Sequence, residues 1–354
     1  MKRQRQVLPA LIAALALASC ARSTPIEPDS RANAATAAPS GGDTARPSAA
    51  PSALFASPPA SVAPKVSDRD PSYRLPAPQR LVAIGDLHGD LAATRAALRL
   101  AHAVDDRDRW IGGKLVVVQT GDEIDRGDDD RAVVELFDRL ADAAHAAGGE
   151  VRALLGNHEV MNVSGDFRYV TAASFAAFRD QDARRVPAAI LSQFPVEARG
   201  RLAAFFPGGP VALRLSQRSA VVVVGDTLFV HGGVTMDHVR YGLGRLNRET
   251  SRWMTGQGTE PSILTDDQGP LWTRRYSDDA SPIDCEGLKE TLAALGVQRM
   301  VVGHTPHPSG ISPACDERVW RIDTGLSAYY RGPLEVLEIR GDKVTVLHGE
   351  KRAP

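Results

Sequence analysis

Five times along this 354-residue chain a short apolar run halts at or beside a glycine and gives way at once to a carboxylate, amide or imidazole. Residues 81–84 lead into Gly85-Asp86-Leu87-His88-Gly89-Asp90, and residues 114–120 into Gly121-Asp122-Glu123-Ile124-Asp125-Arg126-Gly127. Residues 151–155 lead into Gly156-Asn157-His158-Glu159, residues 227–230 into His231-Gly232-Gly233, and residues 300–302 into Gly303-His304-Thr305. A short unbroken apolar run reads as a strand buried on both faces, and the polar residues that follow stand at the sheet edge, where α/β proteins bind their ligands. Each motif taken alone has a plain reading: Gly-Asp is a turn, Asn-His a cap, a buried His a hydrogen-bonded core residue. Five together, each after an apolar run, are not explained by turns.

Helical patterns over residues 91–102 and 131–147 separate the first three strands, so the chain is α/β, and the first three motifs converge along one edge. Residues 163–207 are helical and less apolar, with segments 172–180, 188–194 and 196–205, and are expected to form a cap-like insert beside that edge. Strands are then expected at 211–215, 220–224 and 227–230, with Gly225-Asp226 as a hairpin turn. Helices follow at 237–241, stopped by Gly242, and at 286–295. Strands at 300–302, 319–322, 334–339 and 343–347 complete the fold, the last pair turned by Gly341-Asp342. The expected architecture is two mixed β-sheets packed face to face, a β-sandwich flanked by α-helices, over residues 80–354.

Upstream, Lys2, Arg3 and Arg5 precede an apolar stretch over residues 7–18 that is too short to span a bilayer. That is the build of a secretory signal, residues 1–19. Leu17-Ala18-Ser19-Cys20 resembles the lipobox of bacterial lipoproteins, in which the Cys20 thiol is acylated and anchors the mature chain; an ordinary signal peptide containing a cysteine is the alternative. The expectation is export and a lipid anchor facing the periplasm, with Ala21 favouring the outer membrane. Residues 20–79 are rich in Ala, Pro and Ser, hold too little apolar surface to offset their ordering entropy, and read as a disordered tether. The formal charge of −1 excludes a general basic field, so no nucleic-acid partner is expected. Arg184-Arg185 reads as a solvated face, and no partner protein can be read from the chain. Cys285 and Cys315 are the remaining thiols. In an exported chain an even pair suggests a disulfide, here between the loops before and after the Gly303-His304 strand, with two separate buried thiols as the alternative.

The candidate ligands Asp86, His88, Asp122, Asn157, His231 and His304 offer carboxylate and amide oxygens and imidazole nitrogens but no thiolate, which suits Mn, Fe or Zn at a hydrolytic centre. Six ligands are too many for one open catalytic ion and suit two divalent or trivalent metal ions. A carboxylate such as Asp122 can bridge such ions, and a hydroxide held between them is a nucleophile near neutral pH.

Through Asp-x-His-Gly, Asp-x-x-Asp-Arg-Gly and Asn-His-Glu the sequence resembles the calcineurin-like metallophosphoesterases of the phosphoprotein phosphatase branch. Gly156-Asn157-His158-Glu159-Val160-Met161-Asn162, Gly269-Pro270-Leu271-Trp272-Thr273-Arg274 and Asp323-Thr324-Gly325 look like the Shewanella-like protein phosphatases. The resemblance, over residues 80–349, implies that Asp86 and His88 bind a first metal, that Asp122 bridges, and that Asn157, His231 and His304 bind a second. It implies His158 as general acid, oriented by Asp125, with Arg126 and Arg274 on the phosphate. Many metallophosphoesterases carry Gly-His-x-His where this chain has Gly303-His304-Thr305-Pro306-His307; the branch it resembles lacks the second ligand, so His307 is left out. Trp272 and Tyr276 are read as core, and Arg168 as a candidate substrate contact. The implied activity is an exported phosphomonoesterase working by in-line attack of a metal-bridging hydroxide on a phosphorylated protein, tyrosine-type favoured, or on a small phosphoester. The alternatives are a nucleotide or phosphodiester hydrolase using the same metals, and a catalytically silent binding module, whose mark would be a lost ligand.

Overall fold

The computed structural model describes residues 73–350; the expected signal peptide, Cys20 and the tether up to residue 72 lie outside the described residues. In chain order the first elements are β1 (Arg74–Leu75), β2 (Leu81–Ile84), α1 (Leu91–Leu100), β3 (Val116–Gln119), α2 (Asp130–Ala146), β4 (Glu150–Ala153) and α3 (Asn157–Val163). The insert holds the short helices α4 (Ala172–Ala176), α5 (Ala188–Leu191) and α6 (Arg199–Phe205) and is followed by α7 (Pro210–Leu215). Then come β5 (Val221–Val224), β6 (Thr227–Val230), α8 (Met236–Tyr241), α9 (Leu243–Met254), α10 (Pro282–Leu295) and β7 (Arg299–Val302). The last strands are β8 (Ser312–Ala314), β9 (Val319–Arg321), β10 (Glu335–Arg340) and β11 (Lys343–His348).

Two mixed sheets result, in the orders β1-β5-β6-β7-β9-β8 and β11-β10-β2-β3-β4. Strand alternation sorts their side chains into layers. Leu81, Ala83, Val116 and Val118 meet Val222, Val224, Phe229, Val301 and Ile322 in the core between the sheets. Val82, Ile84 and Val117 face the other way, onto Ala97 and Leu98 of α1 and Val133, Phe137 and Leu140 of α2. Val221, Val223, Leu228, Met300 and Val302 likewise cover Leu246 and Trp253 of α9 and Leu288 and Leu292 of α10. The two-sheet sandwich with helices outside is the expected architecture.

Several local expectations are corrected. Residues 211–215 are not a strand: Pro210 begins a helix there, a position proline favours because its missing N–H would be unpaired anyway. Val211, Ala212 and Leu215 are buried while Leu213 is exposed, a helical spacing inside a run too short to show its period. Gly242 does not simply stop α8; at φ +98° it turns the chain directly into α9, which the sequence reading missed. The folded domain also includes residues assigned to the tether, since Tyr73 is buried and β1 pairs parallel with β5. Strand β8, also missed, contains Pro313 and lies at a sheet edge, where a strand tolerates proline.

Cys285 and Cys315 form a disulfide with a Cα–Cα distance of 5.2 Å. Cys285 lies inside α10 rather than in a loop, so the link ties that helix to the turn between β8 and β9. Closing a loop over a sequence separation of 30 residues restricts the unfolded chain. This contributes on the order of 3–4 kcal/mol, or roughly 5–10 °C in Tm for a domain of this size. Thermal melts with and without reductant, beside a Cys285→Ser/Cys315→Ser variant, should show that loss; superimposable melts would contradict it.

Candidate active site

Strand register builds the site. Ile84, Gln119 and Ala153 are neighbours across the parallel strands β2, β3 and β4, so the three following motifs leave the sheet together. In the other sheet Val230 pairs with Val302 and Val302 with Arg321, which brings His231, His304 and Asp323 out side by side. Glycines let the loops close over the carboxylates. A Cβ at Gly156 would lie 2.1 Å from Asp122 Oδ1, and one at Gly303 would lie 2.3 Å from Asp86 Oδ1.

Asp122 is the shared member of two groups of convergent donors, Asp122 with His88 and His158, and Asp122 with His231 and His304. Its Oδ2 lies 3.2 Å from His231 Nε2, 3.8 Å from His158 Nε2 and 3.9 Å from His88 Nε2. The His231 ring bonds the Thr120 carbonyl through Nδ1 at 3.0 Å, and the His88 ring bonds the Ile124 carbonyl through Nδ1 at 3.3 Å. A carbonyl can only accept, so those nitrogens carry the protons and each Nε2 presents a lone pair inward. His231 Nε2 thus confronts Asn157 Oδ1 at 2.8 Å and His304 Nδ1 at 3.1 Å, while His304 Nδ1 is 3.0 Å from the same Asn157 oxygen. Asp86 stands beside this group, its Oδ2 accepting the His304 backbone N–H and its Oδ1 buried without a hydrogen-bond partner among the described residues, 3.9 Å from His231 Nδ1.

Lone pairs aimed at one another with buried unpartnered oxygens fit bound cations. Burial pushes the Asp86 carboxyl well above the usual range, helped by Asp323 and Asp122. Burial also raises Asp323, to about 6. Desolvation lowers His88 to about 3 and His304 well below the ordinary value, leaving neutral imidazoles with lone pairs to give. Burial raises Asp122, but His231 and His158 outweigh it and hold this carboxylate ionised.

On one flank His158 Nδ1 contacts Asp125 Oδ2 at 2.8 Å, which leaves Nε2 facing the site. Burial lowers its pKa, but the Asp122 and Asp125 carboxylates outweigh burial and keep the ring above the ordinary imidazole value. Arg126 brings Nη2 to 3.5 Å from His158 Nε2. Its guanidinium is walled by the rings of Tyr169, Tyr330 and Tyr329 at 4.6, 5.2 and 5.3 Å, with no carboxylate against it among the described residues. Arg274 stands at the His304 side of the site, bonded to the His304 carbonyl and to Thr305 Oγ1.

Other candidates are engaged elsewhere. Arg168 pairs with Asp166 at 2.6 Å, and His307 Nε2 bonds the Ser277 carbonyl at 2.7 Å. Trp272 donates to the Leu264 carbonyl and Tyr276 is buried in the core. The sequence reading missed the tyrosine wall, because Tyr169, Tyr329 and Tyr330 reach Arg126 from segments with no spacing relation to it. It also missed Asp323 as a neighbour of Asp86, although Asp323 opens a motif already singled out.

Residues 79–308 match the family model described as calcineurin-like phosphoesterase. Shewanella-like protein phosphatase 2 of Arabidopsis thaliana is 39% identical over 301 residues, covering 76% of this chain and 77% of its own length. Shewanella-like protein phosphatase 1 of Plasmodium berghei is 28% identical over 262 residues, covering 71% and 68%. A cold-active protein tyrosine phosphatase structure superimposes with a TM-score of 0.64 over 79% of each chain at 22% identity, which is a likeness of fold. A donor set centred on a shared carboxylate and a family match spanning it lead to one conclusion: this chain is a metal-dependent phosphoesterase of the calcineurin-like family and belongs among its Shewanella-like phosphatases.

Proposed function

We propose that the protein is a dinuclear-metal phosphomonoesterase acting on phosphorylated protein side chains, with aryl phosphates such as phosphotyrosine favoured. The observation that carries the reading is Asp122 standing between two donor groups, with a His–Asp pair on one flank beside an arginine that no carboxylate meets among the described residues. Asp86, His88 and Asp122 would hold one ion and Asp122, Asn157, His231 and His304 the other, with Mn, Fe or Zn suited to these donors. When bound, the ions supply a nucleophile from water near neutral pH and draw charge from the phosphate oxygens.

The chain's own residues do the rest. Arg126 presents a planar fork to two phosphate oxygens, and Arg274 reaches them from the His304 side. His158, held by Asp125 at Nδ1, gives its Nε2 proton to the leaving oxygen as the P–O bond breaks. The aryl preference is supported by the tyrosine wall, in which Tyr329 is 59% and Tyr169 38% exposed, so that both offer ring faces beside the arginine. The relatives named as protein phosphatases support a phosphorylated protein as the substrate class.

With metal restored, hydrolysis of phosphotyrosine peptide, phosphoserine peptide, 5′-nucleotides and a phosphodiester should rank phosphotyrosine first. Changing a residue that merely orients a ligand costs roughly 10–100-fold. Asp122→Asn, which alters a ligand shared by both ions, should therefore lose at least about 100-fold. A nucleotide or diester ranking first would move the function to that class on the same centre, and turnover unaffected in Asp122→Asn would overturn the site. Tyr329→Ala should lower the phosphotyrosine-to-phosphoserine ratio by roughly 2- to 10-fold, the worth of one aromatic contact; an unchanged ratio would remove the tyrosine wall from substrate selection.

We further propose export and acylation at Cys20, on the strength of the basic, apolar and lipobox segments at residues 1–20. Metabolic labelling with an alkyne fatty acid should mark the wild type and not Cys20→Ala, and the variant should leave the membrane fraction. Equal labelling, or a soluble wild type, would contradict the anchor.

A further inference from the structure

We propose that Arg201, carried by the helical insert, is a positioning residue for the acid pair His158–Asp125, an inference that rests on the reading of His158 as general acid. Arg201 is completely buried, and its guanidinium fork is spent on the back of that pair. Nη2 donates to Asp125 Oδ1 at 3.0 Å and lies 2.7 Å from Asp130 Oδ2. Nε donates to Asn162 Oδ1 at 2.7 Å, and Nη1 to Ser174 Oγ at 2.6 Å. The rings of Phe205 and Phe178, packed edge to face on each other, lie against the head at 4.7 and 5.3 Å, so the cation can hardly reorient.

Every contact of the Asp125 carboxylate follows from this arrangement. One oxygen takes Arg201 and Asn162, and the other takes His158 Nδ1 and Asn162. Asn162 also donates to the His158 carbonyl, one turn earlier on α3. The Asp125 backbone N–H is held by Asp130 Oδ1, whose other oxygen is the one Arg201 and Ser174 contact. Both the side chain and the left-handed backbone of Asp125, at φ +70°, are therefore tied to one arginine from a segment outside the metal-binding motifs. A buried ion pair is weak evidence for stability, since apolar packing of similar volume often serves as well. A charge so placed has a further consequence: it fixes the orientation of Asp125 and, through it, the direction in which His158 Nε2 points. Arg201 touches neither the donor groups around Asp122 nor the substrate side of His158.

Leaving-group dependence separates positioning from folding. An aryl oxide with a low conjugate-acid pKa leaves without a proton, whereas an alkoxide needs one. Arg201→Lys, which keeps a charge but loses the fork, should lower kcat for a phosphoserine peptide by roughly 10- to 100-fold, the range for a residue that orients a catalytic one. It should change KM little and slow p-nitrophenyl phosphate by less than threefold. Ser174→Ala removes one anchor of Arg201 without stranding a charge, and should show the same pattern at smaller size; it carries the test if Arg201→Lys does not fold. Metal content and melting temperature measured on each variant report the structural contribution apart from rate. Equal losses on both substrates, in a folded variant with full metal content, would overturn the proposal. His158→Ala sets the reference: if it fails to discriminate between the substrates, the acid reading falls and the proposal with it. Discrimination in His158→Ala but in neither Arg201→Lys nor Ser174→Ala overturns the positioning role alone.

Discussion

The Asp122 carboxylate is almost wholly buried, and the surrounding structure answers the cost of taking that charge out of water. Oδ1 accepts the His158 backbone N–H at the first turn of α3, where a helix presents unpaired donors to an anion. Oδ2 faces three imidazoles. The backbone of the same residue ties the loops together, since its carbonyl accepts the N–H groups of Leu87 and His88 from the first motif. Glu159 closes the arrangement, with its carboxylate accepting the N–H groups of Asp122, Glu123 and Gly156. Three strand ends are thus cross-braced at one residue.

This bracing holds backbone conformations that would otherwise relax. His88, Asp122, Asp125, Arg126 and His304 all have φ between +46° and +70°, a region unfavourable for residues with a Cβ. Each such residue costs on the order of 1 kcal/mol or more, and together they represent strain that the two-sheet core must offset. The left-handed turns let the chain reverse within one or two residues of a strand end and aim consecutive side chains at one point. Gly156 and Gly303 complete the geometry by removing side chains where a carboxylate has to pass.

The sheets were legible because their strands are apolar runs bounded by glycine, and parallel register gathers the motifs within each sheet, while the packing of one sheet on the other brings the two groups together. Segment 211–215 was misread because a five-residue apolar run has no measurable period, and only Pro210 hinted at a helix start. Helix α9 was missed for a related reason: Gly242 marks the end of one helix and the beginning of another with the same backbone angle. The donor set around Asp122 could be collected from the sequence because strand ends deliver it. What surrounds the acid could not. Tyr169, Tyr329, Tyr330 and Arg201 arrive from the insert and from a late loop, and their contacts depend on tertiary packing that no local spacing encodes.

That difference divides the site physically. The convergent donors sit on the ends of paired strands, where the ladder hydrogen bonds and two hydrophobic layers fix their positions. Asp125 of the acid pair and Arg126 occupy the loop between Asp122 and Gly127, which has no ladder of its own and borrows rigidity from the insert, while His158 stands in the first turn of α3. The Tyr169 carbonyl accepts the Arg126 N–H, and Arg201 donates to the Asp125 carboxylate. Both supports come from residues 163–207, so the insert acts on proton delivery and phosphate grip while the donor groups around Asp122 stay on the sheets. Substitutions within the insert can therefore alter which leaving groups the site accepts without disturbing the residues that would hold its metals, a separation set by which side chains stand on strands and which on borrowed support.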